Sequence, residues 1–117
     1  MAQKDIIIVD TDILIKVYRG DALKRKQLDK LKGSVAISII TALELMQGIS
    51  SKRRLIELNT QLKAFQIIHL DVSISELSLR LFRKYSPNSN ARVQDILIAS
   101  TSIIQGFKLF TDNKKHK

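Results

Sequence analysis

The chain predicts an α/β fold around a central parallel sheet, and three observations carry that expectation. Residues 6–9, Ile-Ile-Ile-Val, are an unbroken β-favouring apolar run, as expected of a strand covered on both faces. That run feeds at once into a helical pattern, with Ile13, Leu14 and Val17 at helical spacing. Short apolar runs then alternate with longer amphipathic segments down the rest of the chain, the order of strand–helix–strand units.

Composition bounds the possibilities. At 117 residues and 44% hydrophobic content, the chain is expected to form one domain over residues 1–117, with a packed core. No apolar run approaches the ~18 residues of a membrane helix, and the start, Met-Ala-Gln-Lys-Asp, lacks a signal-peptide pattern, so no membrane contact and a cytoplasmic location are expected. There is no cysteine, hence no disulfide and no thiolate site, which fits a reducing compartment. With His69 and His116 the only histidines, a zinc site built on imidazole is not expected. Any metal would be held by oxygen, which points to magnesium or manganese.

The formal charge of +9, from 20 Lys and Arg against 11 acids, attracts polyanions whatever the fold. A soluble basic surface is the plain alternative to nucleic-acid binding. What favours nucleic acid is the placing of the scarce acids: Asp10, Glu44, Asp71, Asp95 and Asp112 each adjoin an apolar run rather than a charged face.

Taken in order, the first strand ends on Asp10, and a first helix is expected over 12–18, stopping near Gly20. Acid at the carboxyl end of a central strand lies where open α/β sheets bind ligands. Asp12 reads as that helix's N-cap, with a direct metal role as its alternative. Asp10 has no capping role in this reading, and an acid beside a buried strand is costly unless paired or metal-bound. Asp21 opens a second helix, with Leu23, Leu28 and Leu31 inward and Lys24, Arg25 and Lys26 outward, as a solvated face or an RNA contact. Gly33 breaks the chain before a strand at 35–37, and Ser38 or Thr41 can cap the next helix. That helix holds Glu44 among Leu43, Leu45 and Met46 and ends at Gly48; Glu44 is taken as functional over a wet-edge helix residue.

Residues 51–65 form a long amphipathic helix, with Leu55, Leu58, Leu62 and Phe65 on one face as core or as a docking surface. A third strand covers 66–70, with His69 a pleat residue, and Asp71 caps or precedes a helix over 73–85. Residues 86–90, with the only proline, form the clearest loop. Arg92 opens a helix with Val93, Ile96, Leu97, Ser100 and Ile103 on one face and Asp95 off it, in the first turn, where the helix dipole alone could explain an acid. Gly106 ends that helix, and a last strand at 108–110 runs into Thr111, Asp112 and Asn113.

The motifs VDTDILI, TALELMQG, QDILIASTSIIQG and LFTDN, in that order, resemble the PIN-domain ribonucleases, in particular the small VapC-type toxins of type II toxin–antitoxin pairs. The resemblance covers nearly the whole chain. It implies a three-layer α/β/α sandwich with a central parallel sheet of four strands, or five. It also implies RNA hydrolysis with Mg2+ or Mn2+ held by acids at the carboxyl edge of the sheet, a cognate antitoxin as partner and a homodimer. By position the metal-binding, catalytic acids fall on Asp10, Glu44 and Asp95, and the fourth on Asp112 or Asn113, with Thr111 and Ser38 as supporting polar groups. Asp12 falls where the family often has Asn, Ser or Thr, which favours its capping role. Relatives usually continue past the position of His116 into a short final strand; this chain stops at Lys117, so the sheet has four strands or the chain is truncated. A dimer would use a helical face such as that at 55–65.

The chemistry agrees with the resemblance. Crowded carboxylates repel, and a divalent cation offsets that repulsion while polarising phosphate oxygens and acidifying bound water. No histidine or cysteine is placed as a nucleophile, so water activated by the metal is the expected attacker. Two rivals stand. One is a phosphohydrolase of the haloacid-dehalogenase type, whose DxD motif also follows an apolar strand; here Ile13 and Leu14 replace the Gly-Thr such enzymes favour, and Glu44 would have no role. The other is a non-catalytic basic α/β module that binds nucleic acid or protein.

Overall fold

Strand β1 (Ile7–Val9) is followed directly by helix α1 (Thr11–Tyr18). The computed structural model describes residues 5–31, 34–85 and 90–112. The expected breaks at Gly33 and Pro87, the alternative ligand Asn113, and His116 lie outside these residues. After α1 come α2 (Ala22–Asp29), β2 (Val35–Ser38), α3 (Ile39–Gln47), α4 (Lys52–Leu62), β3 (Gln66–Ile68), α5 (Val72–Tyr85), α6 (Val93–Gln105) and β4 (Lys108–Phe110). The strands form one parallel sheet in the order β3-β2-β1-β4. The chain steps from β1 outward through β2 to β3 and then returns to the other side of β1. That reversal falls at the carboxyl ends of β1 and β4, the place where open α/β sheets bind ligands.

Strand residues alternate between two cores. Val9 and Ile37 point to one face, against Ile13, Leu14, Val17, Leu28, Ala42, Leu45, Leu58 and Leu62 of the first four helices. Ile8, Ala36 and Ile68 point to the other, against Ile98 of α6. Helix α5 packs on α6, with Ile74 fully buried. The result is the expected three-layer sandwich, with four strands among the described residues. Each strand is only three or four residues long, so the core depends on both helical layers.

The local signals place most helix ends. Asp21, Ser38, Ser51 and Asp71 accept from backbone N–H groups of Lys24, Ile40, Arg54 and Ile74 at 2.9–3.2 Å. Gly20 and Gly106 follow their helices at φ of 97° and 71°, in the left-handed region that favours glycine.

Four expectations need correcting, and one open alternative resolves. The N-cap of α1 is Asp10, not Asp12: Asp10 Oδ1 accepts from Thr11 N at 2.8 Å, and Asp12 is an exposed first-turn residue. The helix begins one residue early because the strand ends flush against it. On α2, Leu23 is 63% exposed, whereas the Lys24 side chain is only 16% exposed, drawn inward by an acid beyond β4. Of the two readings of the α4 face at 55–65, the core one holds for Leu58 and Leu62, which are buried, and for Phe65, which packs against them. Strand β3 stops at Ile68, leaving His69 exposed beyond it rather than in the pleat. Finally, α6 buries Ile96, Ile98, Ser100, Thr101 and Ser102, while Val93 and Ile103 are exposed. The inward face is rotated onto small polar residues, whose size lets the helix lie close to its neighbours.

Candidate active site

The register of β1 with β4 pairs Val9 with Phe110, so the next residues, Asp10 and Thr111, stand side by side at the sheet edge. Asp10 N donates to Phe110 O at 2.9 Å, and Thr111 Oγ1 donates to Asp10 Oδ2 at 2.6 Å. With Oδ1 taken by Thr11 N, both carboxylate oxygens of Asp10 are held while the residue is only 7% exposed. Burial pushes the Asp10 carboxyl up; the bonds from Thr111 and Thr11 pull the other way, and the charges of Asp12 and Asp95 add to the rise.

Glu44 lies on α3, which starts where β2 ends. Thr11 Oγ1 donates to Glu44 Oε1 at 2.7 Å, and the Thr11 and Thr41 hydroxyls share a hydrogen bond at 2.9 Å. The threonine between the two aspartates thus ties the starts of α1 and α3 together. Burial also pushes the Glu44 carboxyl up, with the Thr11 bond and Arg92 opposing it and Asp95 and Asp10 reinforcing it.

Asp95 enters from the first turn of α6. Its carboxylate is met by Arg92, with Nε 3.3 Å from Oδ2 and Nη2 3.4 Å from Oδ1. Three of the four expected acids, Asp10, Glu44 and Asp95, therefore share one electrostatic environment. Asp112 does not join them: Lys24 Nζ donates to its Oδ1 at 2.7 Å and Lys16 Nζ to its Oδ2. Those two lysines hold its carboxyl below the usual range. Lys24 Nζ also sits 5.7 Å from the centre of the Phe110 ring. Ser38 is buried and spends its hydroxyl on capping α3.

The donor set is all oxygen and suits a hard divalent cation. Among the described residues, no three acids or histidines stand ready-made to share an ion, so Asp10, Glu44 and Asp95 would have to close on it. The same residues show no ion pair to Asp10 or Glu44, so the repulsion these two carry is offset by hydroxyl and amide donors. Sequence reasoning overlooked Thr11, and saw Arg92 only as a helix start. The position of Thr11 between two acids was the available signal for it.

The comparisons with known proteins agree with this geometry. Ribonuclease VapC1 of Methanocaldococcus jannaschii is 37% identical over 111 residues, covering 94% of this chain and 77% of that protein. Among solved structures, a toxin-antitoxin complex from Klebsiella pneumoniae matches with a TM-score of 0.81 and 28% identity, over 93% of this chain and 88% of that one. VapBC2 from Rickettsia felis, bound to a DNA fragment from its promoter, shares the fold at a TM-score of 0.80 and 24% identity, over 94% and 89% of the two chains. The sequence profile of the PIN domain matches residues 7–117, which include every acid placed above. A parallel sheet with a reversal at β1, acids gathered at its carboxyl edge and a profile spanning nearly the whole chain have one reading: the chain belongs to the PIN-domain family.

Proposed function

We propose that the protein is a metal-dependent endoribonuclease, the toxin of a toxin–antitoxin pair. The observation that carries this reading is Asp10: a buried acid at the carboxyl end of the central strand, facing Asp95 and Glu44, with no ion pair among the described residues. Its capping bond and the Thr111 hydroxyl hold the carboxylate in place but supply no opposite charge, and a buried carboxylate without one is costly, a cost that a divalent cation would offset. The ribonuclease relative at 37% identity supports RNA as the substrate. The toxin-antitoxin complex at 28% identity supports an antitoxin partner. A homodimer rests on the family resemblance. Among the described residues no helix is long and apolar enough to cross a membrane.

In this reading Asp10, Glu44 and Asp95 hold Mg2+ or Mn2+. Asp112 joins as the fourth ligand by exchanging one of its lysines. The ion, when bound, supplies polarisation of a phosphate oxygen and acidification of water. The chain's own residues do the positioning. Thr111 and the Thr11 N–H orient the Asp10 carboxylate, Thr11 orients Glu44, and the basic surface binds the backbone phosphates of RNA.

The test is cleavage of single-stranded RNA by the purified protein with Mn2+, with Mg2+ and with EDTA. Cleavage is expected with either ion and is expected to stop in EDTA and in the Asp10→Asn variant. Full activity in EDTA would remove the oxygen-ligand site, and cleavage by Asp10→Asn would remove Asp10 from it.

A further inference from the structure

The acid site contains a cation of its own. Arg92 immediately precedes α6, and its guanidinium reaches three residues forward to Asp95 through two contacts of 3.3 and 3.4 Å. Both are longer than the ~2.7–2.9 Å of a strong charge-assisted bond. The Arg92 side chain remains 56% exposed, whereas that of Asp95 is 18% exposed. Glu44 and Asp12 add to the negative field on the guanidinium after Asp95 itself. The arginine is therefore loosely bonded at the mouth of the acid group, not locked in a structural pair. Exposed ion pairs of this kind hold weakly and exchange readily.

Arg92 and a divalent ion want the same carboxylate. Asp95 cannot give both oxygens to the guanidinium and also ligate an ion without loosening one contact. A displaced guanidinium beside the site carries a planar fork of donors that matches a phosphate.

We propose that Arg92 is an exchangeable counter-ion: it pairs with Asp95 in the ion-free protein, gives Asp95 up when a divalent ion binds, and then holds a substrate phosphate beside the acids. This rests on the metal-dependent nuclease reading above. It makes Arg92 a competitor of the metal and a binder of the substrate, two effects of opposite sign. A residue that only starts α6 would show neither.

The experiment uses the full chain stripped of metal. Mn2+ affinity is measured by calorimetry at low salt for the wild type, Arg92→Gln and Arg92→Lys, with Asp95→Asn as the reference for a lost ligand. KM and kcat for a single-stranded RNA of mixed sequence follow with saturating Mn2+. Arg92→Gln is expected to bind Mn2+ about threefold more tightly or better, because a like charge has left the site, and to raise KM about tenfold. Arg92→Lys keeps the charge and loses the fork, so its Mn2+ affinity should stay near that of the wild type while its KM rises. The gain in Mn2+ affinity should shrink as salt is added. Unchanged or weaker Mn2+ binding in Arg92→Gln would overturn the counter-ion, and an unchanged KM would overturn the phosphate contact. Failure of the wild type to bind Mn2+ at all would instead overturn the nuclease reading beneath it.

Discussion

At the scale of single residues, the buried acids make a signed prediction about pH. Burial raises Asp10 and Glu44 above the ordinary carboxylate range. The folded state therefore keeps these protons to higher pH than the unfolded chain does. Between the two values the native state binds more protons, so stability falls as pH rises and is recovered as pH falls. In EDTA, the melting temperature is expected to climb as pH is lowered from neutrality toward the ordinary carboxylate range, through the raised values of Asp10 and Glu44. Asp112, held low by Lys16 and Lys24, works in the opposite direction, but its contribution is lost only when pH drops through its own depressed value. Excess Mn2+ should invert the trend, because the ion binds the deprotonated acids and its stabilisation shrinks on acidification. The measurement is melting temperature against pH in EDTA and in Mn2+, for the wild type and Asp10→Asn. If acidification lowers the EDTA curve, or Asp10→Asn leaves its slope intact, the raised carboxyl of Asp10 is not what shapes it.

Elements meet at Asp112. Lys16 comes from α1, Lys24 from α2, and the acid from the segment after β4, so one carboxylate ties three elements at the rim of the site. The tie flanks Thr111, whose hydroxyl holds Asp10. Asp112→Asn and the double variant Lys16→Gln/Lys24→Gln are both expected to lower the melting temperature slightly in metal-free, low-salt buffer. The loss should vanish near ~1 M salt, where charges this exposed are screened. Only Asp112→Asn should also reduce the rise in melting temperature given by Mn2+, as befits a fourth ligand. Equal Mn2+ responses in the two variants would assign Asp112 to the lysine tie alone.

For the whole molecule, the relevant quantity is the net charge of +9, carried by a chain whose core acids are few. RNA binding should then be strongly salt-dependent. With a few phosphates neutralised, the log–log slope for a single strand is expected on the order of −2 to −4, a loss of more than about tenfold between roughly 50 and 200 mM salt. Fluorescence anisotropy of a labelled single-stranded RNA in EDTA reads this without cleavage. A flat response would mean that the basic surface serves solubility and not phosphate contact.

What the sequence determined by itself is local in origin. Unbroken apolar runs marked the strands, helical spacing marked the amphipathic segments, and Asp21, Ser51, Gly20 and Gly106 marked helix ends, because each signal is complete within a few neighbouring residues. The order of the acid motifs was legible for the same reason. What only the tertiary structure decided depends on strand order. Asp10 meets Thr111 across 101 residues and Lys24 meets Asp112 across 88, because β4 returns to lie beside β1. No spacing rule reaches that far. The same contact turned Lys24 inward and Leu23 outward, against the apolar pattern of α2, since two lysines sharing one carboxylate at the rim fix the Lys24 side chain there while one exposed leucine on a surface helix is tolerated. The start of α1 moved by one residue, giving Asp10 a capping bond as well as a place in the acid group, because a strand packed flush against a helix leaves no loop for a separate cap. Arg92, a helix-start residue in the sequence with Asp95 three residues on, became part of the site only when α6 was folded against the sheet and its guanidinium came within the field of Glu44.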